Sequence, residues 1–412
     1  PALFLSDFMQ AQGAAPEVVA IHQSEFFAAL DRMMVKPAIP QWQAYLRFQV
    51  GNTMAPYLGK PWRDADHAFR GRLLRGEDEP APRWRQVLDA INASAGAMVA
   101  HEYVARHLPD ANRERADTIA HGVKDALGSA IERNTWMDAQ TKVEARSKLD
   151  RLKIQIGKPG SDFDFSAQPM GRGSFGGNIL IASTWHHREE MKRIGRANAE
   201  RRWDVLPQYP ALSYDLAHNR LFVTAAVLQP PVLDMGQPLA AQYGSFGAMV
   251  GHELTRAVDN KGRRIDAAGS LRDWWSPTTA AAWDARIAPL AGVYSSFAYP
   301  GNATLKVDGA RTHKENAIDL SGLELAWTAY EKAEPQATAA NQQPFFRGWA
   351  RLWAQHLSPQ AASTHAAFSP YPPGQWRTNA PAMQLPVFGK AFACKTGNAM
   401  LITEAQQLSI WK

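Results

Sequence analysis

The sequence contains very little cysteine, because Cys394 is the only one among 412 residues. A lone thiol excludes an internal disulfide framework, and we expect Cys394 to be buried. The chain has no run of about 18 apolar residues, so no transmembrane helix is predicted, and no signal-peptide pattern is visible. Charged residues make up 20% and hydrophobic residues 45% of the chain. These proportions are typical of a globular protein, and the length suffices for two or more domains.

The net charge is +6 and the pI about 9.3. Basic residues concentrate between Lys192 and Arg202. This stretch has no interleaved aromatic residues and matches no nucleic-acid-binding motif. A solvated helix face is the favoured interpretation, and we expect no nucleic-acid partner.

Local patterns indicate a mainly helical chain with a few strands. Residues 17–150 show helical spacing of apolar side chains, for example in the segment Glu25–Met34. A glycine-rich stretch at Gly171–Gly177 lacks the residue order of a phosphate-binding loop. The apolar, β-branched run Arg220–Leu228, followed by Pro230 and Pro231, predicts a strand.

The segment Gly251–Asp259 is the most informative part of the sequence. It contains His252-Glu253-Leu254-Thr255-Arg256, close to the H-E-x-x-H pattern in which two histidines one helical turn apart hold a zinc ion and the glutamate acts as general base. Arg256 replaces the second histidine. Arginine stays protonated and offers no lone pair to a metal. On its own, such a pattern often occurs by chance.

A second acidic motif follows about sixty residues later, in the segment Lys314–Leu323. Glu315 and Asp319 are one helical turn apart and face the same way. A glutamate can serve as a zinc ligand, and an aspartate can orient a ligand histidine. The alternative is a solvated helix face, which a lone E-x-x-x-D motif would favour.

Together these segments resemble the neprilysin and endothelin-converting-enzyme family of zinc endopeptidases. The resemblance is collinear from about Val18 to Trp411. It includes five further groups of residues that match family motifs: Trp203–Gln208, Asn219–Pro231, Leu271–Trp275, Phe345–Ala350 and Pro386–Lys395. The resemblance implies that His252 and Glu315 are vestigial metal ligands, that Glu253 is a vestigial general base, and that Asp319 and Asp259 belong to the catalytic group. It also implies that Arg377, Asn379 and the residue at position 211 contact substrate.

Three departures from the family pattern fall on this implied site. Arg256 replaces the second zinc histidine, Ala211 replaces an asparagine that holds the substrate backbone, and Tyr371 replaces a histidine that stabilises the transition state. Three replacements in one pocket indicate that peptide hydrolysis is no longer under selection. We therefore expect no zinc cofactor, although the family uses zinc, and an ion pair from Arg256 to Glu315, Glu253 or Asp319.

The resemblance also implies an α+β architecture that is mainly α-helical with a small β-sheet. We expect part of a helical capping lobe at 1–160, a linker or crossover at 161–202, and a thermolysin-like metallopeptidase domain at 203–412. Relatives carry more chain before the point matched by Val18. A second polypeptide that supplies this part, or an oligomer partner, is therefore expected, and the compartment is expected to be periplasmic or secreted, with the cytoplasm left open.

The sequence is compatible with two functional interpretations. The first is a non-catalytic homologue, a binding or scaffold subunit for a peptide or protein ligand. The second is an active zinc-dependent endopeptidase with a modified metal site that cleaves oligopeptides. The sequence favours the first.

Overall fold

A computed structural model describes residues 3–13, 19, 21, 23–35, 39–159, 168–194 and 203–412. The helices in chain order are α1 (Leu3–Ala11), α2 (Ser24–Val35), α3 (Ile39–Met54), α4 (Lys60–Asp66), α5 (Arg83–His107), α6 (Asp110–Arg133), α7 (Ala139–Asp150), α8 (Phe175–Met191), α9 (Leu239–Gln242), α10 (Ala248–Thr255), α11 (Pro277–Ser295), α12 (Gly309–Ala333), α13 (Ala339–Leu352), α14 (Pro359–Phe368), α15 (Gly374–Gln384) and α16 (Pro386–Ala391). The strands are β1 (Lys153–Gly157), β2 (Leu212–Asp215), β3 (Arg220–Thr224), β4 (Ala298–Tyr299) and β5 (Asn302–Lys306). The mainly helical α+β architecture predicted from the sequence is confirmed.

The chain forms two compact units. The first unit combines residues 1–101 with 161–202, and the second combines 102–160 with 203–412. The second unit therefore takes in α6, α7 and β1 from the region before the expected linker. None of the described helices is both long and apolar enough to cross a membrane.

A three-stranded sheet in the second unit has the order β1-β3-β2. Strand β1 pairs with β3 in parallel, and β2 pairs with β3 in antiparallel orientation, with Leu212 opposite Val223. The predicted strand Arg220–Leu228 is wrong in its second half, because β3 ends at Thr224 and the chain then turns through a 3₁₀ helix at Ala225–Val227. The apolar run continues there because these turn residues are also buried in the core.

Helices α10 and α12 cross in the middle of the second unit. A β-carbon added at Gly251 would lie 2.7 Å from the carbonyl oxygen of Gly322, and one added at Gly322 would lie 2.6 Å from the backbone nitrogen of His252. Only glycine permits the two backbones to approach this closely. The crossing fixes the position of His252 relative to the preceding turns of α12, which carry Glu315 and Asp319.

The core of the second unit surrounds this crossing. Trp283, Tyr330, Phe345 and Trp349 are almost completely buried, and they fix the helices that flank α12 through their large apolar area. Cys394, which we expected to be buried, is partly exposed instead. It lies just after α16, where Ala393 adopts a left-handed turn with φ 50°.

Candidate functional site

His252 lies on α10 and is 8% exposed. Its Nδ1 is 2.8 Å from Oδ1 of Asp319, which is 1% exposed. The carboxylate accepts a hydrogen bond from the Nδ1–H group, and in the neutral tautomer that this bond favours Nε2 presents its lone pair to the opposite side. Burial of Asp319, together with 6% exposure of Glu315, excludes a solvated helix face for this motif.

The guanidinium of Arg256 lies where that lone pair points. Its Nη2 is 3.4 Å from Nε2 of His252 and forms an ion pair with Glu315. Its Nη1 donates to Oδ2 of Asp259 at 3.0 Å, and Asp259 is fully buried. The predicted ion pair between Arg256 and Glu315 is confirmed.

These charges stabilise one another in a buried setting. Burial alone would raise the pKa of Glu315, but the hydrogen bond and charge of Arg256 outweigh it and hold that pKa below its usual value. Burial lowers the pKa of Arg256, yet its hydrogen bond to Glu315 and the charge of Asp259 raise it above the ordinary value. Arg256 and Glu315 are therefore both ionised at neutral pH.

Glu253 faces the sheet. Its Oε2 accepts the backbone N–H of Tyr214 in β2 at 2.9 Å, and its Oε1 is 3.9 Å from Nε2 of His252. Ala211 lies just before β2, and its carbonyl oxygen accepts the backbone N–H of Thr224 at 2.9 Å. A methyl side chain at position 211 can form no hydrogen bond to a ligand backbone.

Arg377 on α15 also contacts Asp319. Its Nε and Nη2 each donate to Asp319 at 2.7 Å, a bidentate pair. Its Cζ lies 3.5 Å from the ring centroid of Trp353 and 4.3 Å from that of Tyr371. Burial would raise the pKa of Asp319, but the charge of Arg377 and the hydrogen bond from His252 lower it to about 2.

Tyr371 is a neutral group at this position. Burial and the charge of Glu315 raise its pKa to about 12. A neutral phenol can donate one hydrogen bond, but it carries no positive charge to offset a developing oxyanion. Among the other predicted contacts, Asn379 lies on the side of α15 that lines a neighbouring cavity with Trp353.

The side chains present do not fit a zinc ion. A catalytic zinc site normally has three protein ligands, whereas here the lone pair of His252 and the carboxylate of Glu315 both face a guanidinium. Among the residues that the structure describes, no three His, Cys, Asp or Glu side chains converge as ligands of one metal ion do.

Sequence reasoning missed the group that supports the loop after α10. Lys148 is fully buried, and its Nζ donates to the carbonyl oxygens of Gly262 at 2.8 Å and Ile265 at 2.6 Å. The indole of Trp274 donates to the same two oxygens at 2.9 and 3.1 Å. The matched segment Leu271–Trp275 contains Trp274, but a lysine in a helix is ordinarily exposed, so the burial of Lys148 was not anticipated.

Comparisons with known proteins agree with this architecture. Sequence models described as Peptidase family M13 match residues 1–159 and 213–408. An endothelin-converting enzyme homolog from Locusta migratoria is 27% identical over 86% of this chain and 51% of its own length. Neprilysin-3 from Drosophila melanogaster is 25% identical over 96% of this chain and 52% of its own length. The chain thus spans about half the length of the curated relatives it matches.

Solved structures extend the likeness to three dimensions. The Mycobacterium tuberculosis zinc metalloprotease Zmp1 in complex with an inhibitor has a TM-score of 0.83 at 26% identity, covering 98% of this chain and 65% of that chain. PepO from Lactobacillus rhamnosis has a TM-score of 0.77 at 25% identity, over 87% of this chain and 56% of that one. With both successive sequence models of the family matched in order, the chain belongs to peptidase family M13.

Proposed function

We propose that this chain is a non-catalytic M13 homologue that binds a peptide or protein segment as a binding or scaffold subunit. One observation carries the proposal: the Arg256 guanidinium contacts His252, Glu315 and Asp259 at the point where a metal would need the lone pairs of the first two. An ion at that point would also lie beside a fixed positive charge. Glu253 therefore has no metal-bound water to deprotonate.

The remaining groups of the site form hydrogen bonds and ring contacts with one another. Arg377 is held by two hydrogen bonds to Asp319 and by the rings of Trp353 and Tyr371. Tyr371 supplies no charge for an oxyanion, and Ala211 supplies no amide for a substrate. Since the loss of one transition-state donor lowers a rate by about 10²–10³-fold, these two changes act against catalysis independently of the metal.

Peptide binding finds support in the position of β2 at the edge of the three-stranded sheet. Because Ala211 bonds to Thr224 across the ladder, the backbone groups of Leu212 point to the free edge in an antiparallel pair. An extended peptide can add to such an edge through main-chain hydrogen bonds. The bond from the Tyr214 N–H to Glu253 orients this edge toward α10.

The test compares wild type, Arg256→His, and the triple reversion Arg256→His, Tyr371→His and Ala211→Asn. Each protein is purified without added zinc, and its metal content and cleavage of fluorogenic peptides are measured with and without zinc. We expect no cleavage by wild type, recovery of zinc binding without full activity in the single variant, and the largest gain in the triple variant. Zinc-dependent cleavage by the wild type would refute the proposal and favour an active endopeptidase with a modified metal site. Full activity in the single variant would contradict the roles given to positions 371 and 211.

We further propose that a second polypeptide or a second copy covers the first unit. Most of the large hydrophobic side chains that are exposed belong to this unit, for example Ile39 (73%), Leu73 (71%) and Trp84 (65%). Apolar surface of this extent marks an interaction site. Light scattering on the purified chain tests this: a monomer that binds no apolar dye contradicts it. The resemblance also leads us to propose an extracytoplasmic location, which fractionation of the source cells can check.

A further inference from the structure

Glu253 differs from the other carboxylates of the site, because among the described residues no cation neutralises it. Each of the other three forms an ion pair with the guanidinium of Arg256 or Arg377. The nearest basic side chain to Glu253 is His252, whose Nε2 lies 3.9 Å from Oε1, beyond hydrogen-bond distance. That Nε2 faces the Nη2 donor of Arg256 at 3.4 Å and is therefore unprotonated. The Glu253 side chain is 20% exposed, more than the other three acids, so the site keeps one partly accessible negative charge.

The other oxygen of Glu253 limits how a peptide can add to the free edge of β2. Because Ala211 bonds to Thr224 across the ladder, the backbone groups of Leu212 and Tyr214 point away from β3, to that edge. The N–H of Tyr214 already donates to Oε2 of Glu253 at 2.9 Å. The carboxylate thus takes the place that a carbonyl oxygen of an added strand would occupy. An extended peptide can pair with Leu212, but it cannot continue in register past the N–H of Tyr214.

The charge of Glu253 decides which end of such a peptide lies at this point. An antiparallel peptide begins opposite Tyr214 and runs towards Leu212 and Ala211, so its α-ammonium group lies beside Glu253. A parallel peptide would end there instead, and its α-carboxylate would be repelled by the like charge. Charge complementarity therefore selects the antiparallel orientation, in which the first residues of the ligand lie at β2.

We propose that the site binds the N-terminal segment of a peptide, with its free α-ammonium group paired to Glu253 and its first residues added antiparallel to the edge of β2. Strand addition and capture of a terminal amine are both established ways in which proteins recognise peptides. Ala211 offers only a methyl group, so recognition depends on the ligand main chain and its terminal charge. A lysine side chain carries the same ammonium chemistry, and the experiment below distinguishes the two sources. This inference rests on the proposed peptide-binding function and names the part of the ligand that is recognised.

The probe is a mixture of pentapeptide amides of randomised sequence, prepared with free and with acetylated N-termini. Peptides retained by the immobilised chain are identified by mass spectrometry. The best-retained peptide is then titrated by calorimetry in its free form, its acetylated form and a des-amino form, in which hydrogen replaces the α-amino group. We expect the free form to bind about tenfold more tightly than the other two, since an ion pair largely shielded from solvent contributes more than an exposed one.

A variant of the acid tests whether this preference arises at Glu253. The amide oxygen of glutamine can still accept the N–H of Tyr214, so Glu253→Gln should keep the fold and lose the preference for the free form. Glu331→Gln changes an exposed glutamate near the end of α12 and serves as the matched control, which should keep the preference. Circular dichroism and thermal melts check that each variant is folded, and the comparison of the peptide forms on wild type tests the inference independently of any variant.

The inference would be overturned if no peptide were retained, if the free, acetylated and des-amino forms bound equally, or if Glu253→Gln kept the preference. Loss of the preference in Glu331→Gln would count equally against it. Retention of acetylated peptides that contain lysine would also overturn it, because a side-chain ammonium group would then be the ligand of Glu253. Zinc-dependent cleavage by a chain that still prefers free N-termini would refute only the non-catalytic function. A chain that cleaves no peptide and binds acetylated peptides equally well would refute only this inference, so the two failures are distinguishable.

Discussion

Replacement of Arg256 by methionine is expected to destabilise the second unit strongly. The Arg256, Glu315 and Asp259 side chains are only 11%, 8% and 0% exposed. Without the guanidinium, Glu315 keeps only the more exposed Lys261, whose Nζ lies 3.4 Å from its Oε1, and the buried Asp259 loses its ion-pair partner. Removal of one partner of a buried ion pair typically costs about 3–5 kcal/mol, and we expect Arg256→Met to fall in that range.

A double-mutant cycle separates the ion pair from general packing. Glu315→Gln in the Arg256→Met background removes one of the two carboxylate charges that have lost the guanidinium, so the double variant should recover part of the loss. We expect a coupling free energy of about 2–3 kcal/mol, the upper end for residues in direct contact. Asp259 should tolerate the change because its Oδ1 still accepts the N–H groups of Lys261 and Gly262 at 2.7 and 2.8 Å.

The assay is urea unfolding combined with hydrogen-exchange mass spectrometry of peptides from α10 and α12. Arg311→Met serves as the control, since its ion pair with Asp308, with side chains 39% and 44% exposed, and its hydrogen bonds to the carbonyl oxygens of Ala366 and Ala367 are all on the surface. Such exposed pairs contribute about 0–1 kcal/mol. If Arg256→Met is no more destabilising than Arg311→Met, or if the cycle shows no coupling, the guanidinium does not hold the two helices together and the reasoning fails.

Three other measurements test charges in the second unit. Zinc at 100 times its Kd should stabilise Arg256→His by about 2.7 kcal/mol in thermal melts, whereas the wild-type melting temperature should not respond to zinc or chelator; an equal response of both proteins would contradict this. Burial raises the pKa of Glu324 from 4.5 to about 7, so its contribution to stability is complete below pH 4.5 and is lost as the pH rises to about 7. Glu324→Gln should remove a change of about 3 kcal/mol in the free energy of unfolding across that window. Parallel pH profiles of the variant and the wild type would refute this. Burial lowers the pKa of Lys148 from 10.5 to about 8, so the stability that its neutral form contributes is present above pH 10.5 and is lost as the pH falls through 8. Lys148→Met should abolish the rise in the free energy of unfolding between pH 8 and pH 10.5. An unchanged rise would show that another group causes it.

The sequence predicted the part of the site that depends on helix periodicity. His252 and Arg256 are one turn apart, as are Glu315 and Asp319. The two side chains of each pair therefore lie on the same face of their helix, independently of where the helix packs. The family resemblance placed the two segments together, and the contact between Arg256 and Glu315 followed from the need to pair buried carboxylates. The position of each charge along its helix was therefore predictable.

Features that depend on the contact between distant segments were not predictable. The resemblance assigned Asn379 and Arg377 to substrate contact; residues two apart in a helix differ by about 200°, and Asn379 lines the cavity beside Trp353, so its contact with substrate stays a prediction. Lys148 and Trp274 share the carbonyl oxygens of Gly262 and Ile265 through a loop closure that no local pattern encodes. The extent of β3 was also unpredictable, because a buried 3₁₀ turn has the same apolar composition as a buried strand.

The retained residues of the site differ from the replaced ones in whether their loss would leave a buried charge without its partner. Loss of Asp319 would leave the cation of Arg377 buried without its bidentate partner, and loss of Glu315 would leave Asp259 as the remaining carboxylate beside the buried cation of Arg256, so both acids are tied to stability. Substitutions at positions 211 and 371 leave no buried charge unpaired, since Ala211 keeps its backbone bonds and Tyr371 packs on Arg377 as a neutral ring. On our proposal that a guanidinium takes the metal's place, the network of charges that joins α10, α12 and α15 still needs every acid, while positions 211 and 371, to which we assign roles toward a reacting substrate alone, are free to change. The proposed loss of hydrolysis with retention of the fold therefore predicts substitutions of this kind.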